Sequence, residues 1–183
     1  MRRVLAVIGF FLLWSLCAIG CTSGGNCSSG SHCECSEGDQ CYLGCDGDHC
    51  DQSCHNMNQC GTVCGDACTS SCHDVKRCSQ SCDSGCGLSC FNTDSCGAIC
   101  GDNCNLECHD TKQCSVEVGP GSDVTCRQVE QCAVVCNGNC TVNCIGTHSC
   151  LVSCPKGGCE IDCANNGPAT ECKDGLFACG DCP

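Results

Sequence analysis

Large apolar and aromatic side chains are nearly missing from this chain. Beyond position 20 the only aromatic residues are Tyr42, Phe91 and Phe177, and residues of the A, V, I, L, M, F, W and Y types number 28 in 163. Such a chain cannot build an ordinary oily core, and its composition would usually signal disorder. Basic residues are scarce too. Six of the eight Lys and Arg lie beyond residue 20, against all 21 Asp and Glu, which leaves that part with a formal charge of −15. This argues against a DNA or RNA partner, since nucleic-acid binding rests on a basic footprint. Cations, basic surfaces and neutral glycans remain as partners, and solubility alone accounts for much of the charge. Long apolar runs are missing as well after the N-terminal segment, so the sequence offers no membrane span.

What the chain does have is cysteine, 34 residues of it. The N-terminus opens with Arg2 and Arg3, continues as the apolar run VLAVIGFFLLWSL and ends in the small residues Ala18 and Gly20. That is the layout of a secretory signal, so residues 1–20 are expected to be removed and the rest to fold in an oxidising compartment. The four residues Ala18-Ile19-Gly20-Cys21 resemble the lipobox of bacterial lipoproteins, with Ala18 where that motif usually has Leu. The resemblance implies a thioether-linked diacylglycerol on Cys21, which becomes the first residue of the mature chain. Thr22, not Asp, follows it, which by the same resemblance implies an outer-membrane address. An ordinary signal peptidase would also accept these residues and release an unanchored protein. Parity favours the anchor: with Cys17 lost and Cys21 acylated, 32 cysteines remain and all can pair. Several acyl chains at one point hold a protein on a membrane, where a single one is marginal.

The cysteine spacing 6, 4, 4, 4 recurs as an 18-residue period, in clear register over six units beginning at Cys54, Cys72, Cys90, Cys108, Cys126 and Cys144, with a degraded unit at Cys35. Each unit holds the pattern cysteine-x-aliphatic-x-cysteine twice, as in Cys132 to Cys136 and Cys140 to Cys144, which sets cysteine and aliphatic on one face of a short strand. Turns rich in Gly, Asn and Asp join the strands, and five-residue links such as HDVKR lead onward. The fold class expected is all-β: a disulfide-rich β-solenoid of about seven 18-residue coils, or alternatively a string of disulfide-knotted hairpins. The constant period favours the solenoid, because independent hairpins need no link of fixed length. Residues 21–34 are expected to form a Ser/Gly tether, 35–163 the solenoid and 164–183 a C-terminal cap. The architecture resembles the disulfide-braced β-helices of insect antifreeze proteins, but their ice face needs a regular Thr-x-Thr array. Pairs here such as Gly87/Ser89 and Asn105/Glu107 supply none.

The fourth unit lacks two cysteines together, with Val118 and Ser122 in their places. Joint loss implies a bond between them in the other units, so Cys64–Cys68, Cys82–Cys86, Cys100–Cys104 and Cys136–Cys140 are expected, with Cys45–Cys50 and Cys154–Cys159 across the longer turns. If each turn reverses the chain, the far ends of the two strands face each other. That gives Cys41–Cys54, Cys60–Cys72, Cys78–Cys90, Cys96–Cys108, Cys114–Cys126, Cys132–Cys144 and Cys150–Cys163. Bonding between coils is the alternative. Cys27, Cys33, Cys35, Cys172, Cys179 and Cys182 are left for the two ends.

Metallothioneins resemble the chain only in cysteine fraction, since the sole C-x-C is Cys33-Glu34-Cys35. The one C-x-x-C, Cys179 to Cys182, has no βαβ context and is expected to be structural. One column could bind metal: His55, His73 and Asp74 become neighbours when coils stack, a weak zinc or copper set against the simpler reading of a solvated polar corner. No cofactor, catalytic residue or enclosed pocket is expected. The function expected is a non-enzymatic, lipid-anchored surface or envelope protein with a structural or adhesive role and a glycan or protein partner. It resembles, in general character, the cysteine-rich outer-membrane lipoproteins of bacteria. A metal-binding envelope protein and a secreted, unanchored toxin-like or inhibitory protein are the alternatives.

Overall fold

Alternation of buried and exposed residues at period two makes each short segment a strand, and the 18-residue repeat stacks like strands in parallel. In the computed structural model this gives fifteen strands and a β-solenoid of about eight turns. The structure describes residues 24–164 and 167–182, so the expected signal segment and Cys21 lie outside the described residues.

Each coil has two straight sides. One series of parallel strands comprises β5 (Gly87–Phe91), β7 (Asn105–His109), β9 (Ser122–Arg127), β11 (Cys140–Ile145) and β13 (Glu160–Asp162). The other comprises β6 (Ser95–Cys100), β8 (Gln113–Val118), β10 (Gln131–Cys136) and β12 (Ser149–Ser153). In the earlier coils β2 (His32–Asp46), β3 (Asp51–Cys64) and β4 (Thr69–Cys82) run through the corner and serve both series. The register advances by 18 residues, as in Cys78↔Cys96 and Cys96↔Cys114, and by 19 where a four-residue turn adds one, as in Cys41↔Cys60 and Thr141↔Glu160. At about 4.8 Å per coil the rod is roughly 40 Å long.

The described part of the expected tether, residues 24–34, is itself folded. β1 (Gly25–Ser28) pairs in parallel with Leu43 to Asp46, and β2 starts at His32, so the solenoid begins ten residues before Cys35. At the other end β14 (Thr170–Lys173) and β15 (Leu176–Ala178) form a hairpin whose second strand pairs antiparallel with β12. This hairpin covers one sheet edge that would otherwise template further strands.

All 32 cysteines of the described residues are paired, in sixteen disulfides. The turn rings Cys45–Cys50, Cys64–Cys68, Cys82–Cys86, Cys100–Cys104, Cys136–Cys140 and Cys154–Cys159 are present. The larger rings are different from the expectation. Cys41–Cys54, Cys60–Cys72, Cys78–Cys90, Cys96–Cys108, Cys114–Cys126, Cys132–Cys144 and Cys150–Cys163 do not form. Instead the chain bonds Cys35–Cys41, Cys54–Cys60, Cys72–Cys78, Cys90–Cys96, Cys108–Cys114, Cys126–Cys132 and Cys144–Cys150. The ends use Cys27–Cys33, Cys163–Cys179 and Cys172–Cys182.

The reason is geometric. Reading each unit as a hairpin makes the five-residue link a mere connection, whereas in the solenoid that link is a second corner. It turns the chain as the short turn does, and a bond closes each corner within its own coil. The expected partner sits one coil away and is still near: the Sγ atoms of Cys78, Cys90 and Cys96 all lie within 4.8 Å of one another.

The interior between the two columns of sulfur is filled by three residues per coil, such as Leu106, Thr111 and Val116, or Val124, Val129 and Val134. It is aliphatic toward the C-terminus. Nearer the N-terminus the expected aliphatics are replaced by Gln52, Thr62, Ser70 and Gln80, all buried. Gln80 donates its amide to the Ser70 and Ser89 carbonyls at 3.0 and 3.3 Å, and Thr62 and Ser70 share a hydroxyl bond at 2.7 Å. Bonds across the coil thus satisfy most of these groups, which would be costly to bury alone, although Gln52 Oε1 has no partner among the described residues.

Candidate binding faces

The corner between the two sheets carries the histidines, and its backbone explains the column that contains them. Asn56, Asp74, Asn92, Asp110 and Gln128 have φ between 51° and 56°, and Gly146 has 63°. Each coil needs one left-handed residue here, and Asn, Asp and Gly are the types that accept it at least cost. The Asn92, Asp110 and Gln128 amides then donate to the carbonyls of His109, Arg127 and Ile145 one coil on.

Beside them the side chains stack. The His55 and His73 rings lie 4.9 Å apart with planes 2° from parallel, and Phe91 stacks on His109 at 5.1 Å. Parallel rings hold their nitrogen lone pairs in separate parallel planes, so His55 and His73 do not converge on one ion. Asp74 is also occupied: the Asn92 amide donates to one of its oxygens and His73 Nδ1 lies 3.2 Å from the other. The Asn92 bond, then that to His73, holds the Asp74 carboxyl below its usual range. The structure therefore brings His55, His73 and Asp74 into one column without arranging them as a ligand set.

A different carboxylate does stand between imidazoles. Glu34 Oε1 lies 2.5 Å from His55 Nε2, and its Oε2 lies 4.0 Å from His32 Nε2. The bond to His55 is the main reason its pKa falls below the ordinary value, with desolvation opposing it and the neighbouring imidazoles adding to it. Sequence reasoning missed this pairing because the 19-residue step between β2 and β3 shifts Glu34 relative to the 18-residue period. Farther along the corner Lys112 Nζ bonds Asp94 Oδ1 at 2.7 Å, which lowers the acid and raises the base.

The two flat faces differ sharply in charge. On the strands of the β5 series the sixteen outward positions from His32 to Asp162 include six acids: Glu34, Asp51, Glu107, Asp123, Glu160 and Asp162. Hydroxyls knit this polar face together, as where Thr69 donates to Asp51 at 2.9 Å.

On the strands of the β6 series the fourteen outward residues are Tyr42, Gly44, Gly61, Val63, Ser79, Ser81, Gly97, Ile99, Ser115, Glu117, Ala133, Val135, Leu151 and Ser153. Glu117 is the single charge. Val63 and Ile99 are 60% and 59% exposed, and Tyr42 lies over Gly61, where a Cβ would stand 2.5 Å from its ring. Around Tyr42 the face holds an open depression of about 540 Å³, lined by Asn26, Val63 and Ser79 among others. The alternation within each strand is visible in the sequence, but only the pairing of the strands shows that these residues share one surface.

No family model, characterised protein or solved structure matches the chain. The faces and corners must therefore be read on their own chemistry. At the C-terminus the two cysteines of the C-x-x-C bond elsewhere, Cys179 to Cys163 and Cys182 to Cys172, and not to each other. A dithiol redox motif of the thioredoxin type bonds its own two cysteines in the oxidised form.

Proposed function

We propose that the chain is a non-enzymatic structural or adhesive component of the cell envelope, exported and held on the membrane by lipid at Cys21. The observation that carries this reading is the complete pairing of the 32 cysteines from Cys27 to Cys182. A protein braced by sixteen disulfides belongs in an oxidising compartment. The 32 cysteines of the described residues pair with one another, so acylation of Cys21 would leave no cysteine of the expected mature chain unaccounted for. A rod of repeats with continuous flat faces suits an extended partner, glycan or protein, more than a small substrate.

Mass spectrometry of the mature protein from membranes is the test. The expected N-terminal peptide begins at Cys21 and carries a diacylglyceryl thioether. An unmodified Cys21 in a protein free in the medium would replace this reading by that of a secreted, unanchored rod. Metal capture is a second reading, supported by the placement of Glu34 between His32 and His55 and not by His73 or Asp74. Stoichiometric zinc or copper in the same oxidised preparation would favour it.

A further inference from the structure

We propose that the nearly uncharged face is a self-association surface, on which two copies pack face to face about a two-fold axis parallel to the rod. Charge is the first argument. Beyond residue 20 the formal charge is −15, so copies repel one another over most of their surface. Only on the face with Glu117 as its single charge can two copies approach closely without setting acid against acid.

Shape within each coil is the second argument. The two outward positions of a strand are two residues apart, and repeatedly one is small and the other large: Gly61 with Val63, Gly97 with Ile99, Ala133 with Val135. A two-fold axis along the rod reverses the strand direction while keeping each coil at its own level. Every large side chain of one copy then meets the small residue of the same coil in the other, the self-complementarity an isologous contact requires. An axis across the rod would instead set Ile99 on Ile99 and Gly97 on Gly97 at the central coil, protrusion on protrusion and hollow on hollow.

Seven strands about 4.8 Å apart and about 18 Å long present about 600 Å² per copy, or about 1,200 Å² in all, within the range of specific interfaces. This association does not depend on the lipid, although it leaves both N-terminal ends on the same side, as two copies held on one membrane need.

Sedimentation velocity of the mature, oxidised protein over a range of concentrations tests the proposal. A concentration-dependent dimer is expected. Ile99→Glu, at an exposed position that leaves the fold alone, raises its dissociation constant at least about tenfold, and Val63→Glu does the same. Thr141→Glu, on the opposite face, leaves it unchanged. Gly97 has negative φ, and a Cβ there would meet no atom nearer than 3.9 Å, so the position accepts a side chain. Adding Gly97→Lys to Ile99→Glu restores the dimer, because the axis sets each new cation against the new anion of the other copy. A wild-type chain that stays monomeric to about 100 µM, an Ile99→Glu protein that dimerises normally, or a double variant that does not recover would each overturn the proposal. None of these outcomes bears on whether Cys21 is acylated.

Discussion

Val118 is fully buried and Ser122 accepts a hydrogen bond from the Cys104 amide at 3.0 Å, so the one coil without a turn disulfide fills the sulfur's place with a methyl pair and a hydroxyl. Val118 stands in register between Cys100 and Cys136, and both of these are bonded across their turns. Val118→Cys with Ser122→Cys should therefore close a seventeenth disulfide. A five-residue ring contributes about 2 kcal/mol and the lost Ser122 bond costs about 1, for a net gain of about 1 kcal/mol. Non-reducing peptide masses and the guanidinium midpoint check this, and two free thiols in the variant would contradict it. Joint loss of two cysteines is legible in sequence because a bond needs both ends. Gln52 and Gln80 were not legible as core residues. Their polarity says surface, and only the carbonyls they reach inside the coil make burial tolerable.

An 18-residue coil is two strands and two corners, and each corner makes its own demands. At the long corner the demand is a left-handed residue, met by Asn56, Asp74, Asn92, Asp110, Gln128 and Gly146. The short corner also takes a left-handed residue, at His49, Ala67, Gly85, Asn103 and Gly121, and at some of its turns it needs room as well, because successive turns stack. Gly101 has an ordinary φ, yet any side chain there would collide with the Asp83 carbonyl of the turn below. Gly101→Val should lower stability by about 1–3 kcal/mol, read as a lower denaturant midpoint with the disulfides intact, and an unchanged midpoint would contradict stacked turns. The period and the short-turn rings were readable from spacing along the chain. The larger rings were not, because in stacked coils a cysteine such as Cys78 has candidate partners on its own coil and on the next at almost the same distance. Spacing along the chain measures neither.

For the whole molecule the consequence is a rod whose cross-section is held by covalent bonds and whose length is held by parallel strand pairing. Its interior, three small side chains per coil between two columns of sulfur, is too thin to fold the chain by burial alone. Bonds inside a coil and bonds between coils would both give a rod, but only the first closes each corner within its own coil and leaves successive coils joined by strand pairing alone, which is the central claim. A peptide map of the oxidised protein under non-reducing conditions distinguishes them directly. Trypsin cuts between Cys72 and Cys78 at Lys76 and Arg77, and cleavage before Asp94 separates Cys90 from Cys96. Peptides linked Cys72 to Cys78 and Cys90 to Cys96 are the predicted result. Peptides linked Cys78 to Cys90, or a protein with most of its thiols free, would contradict it.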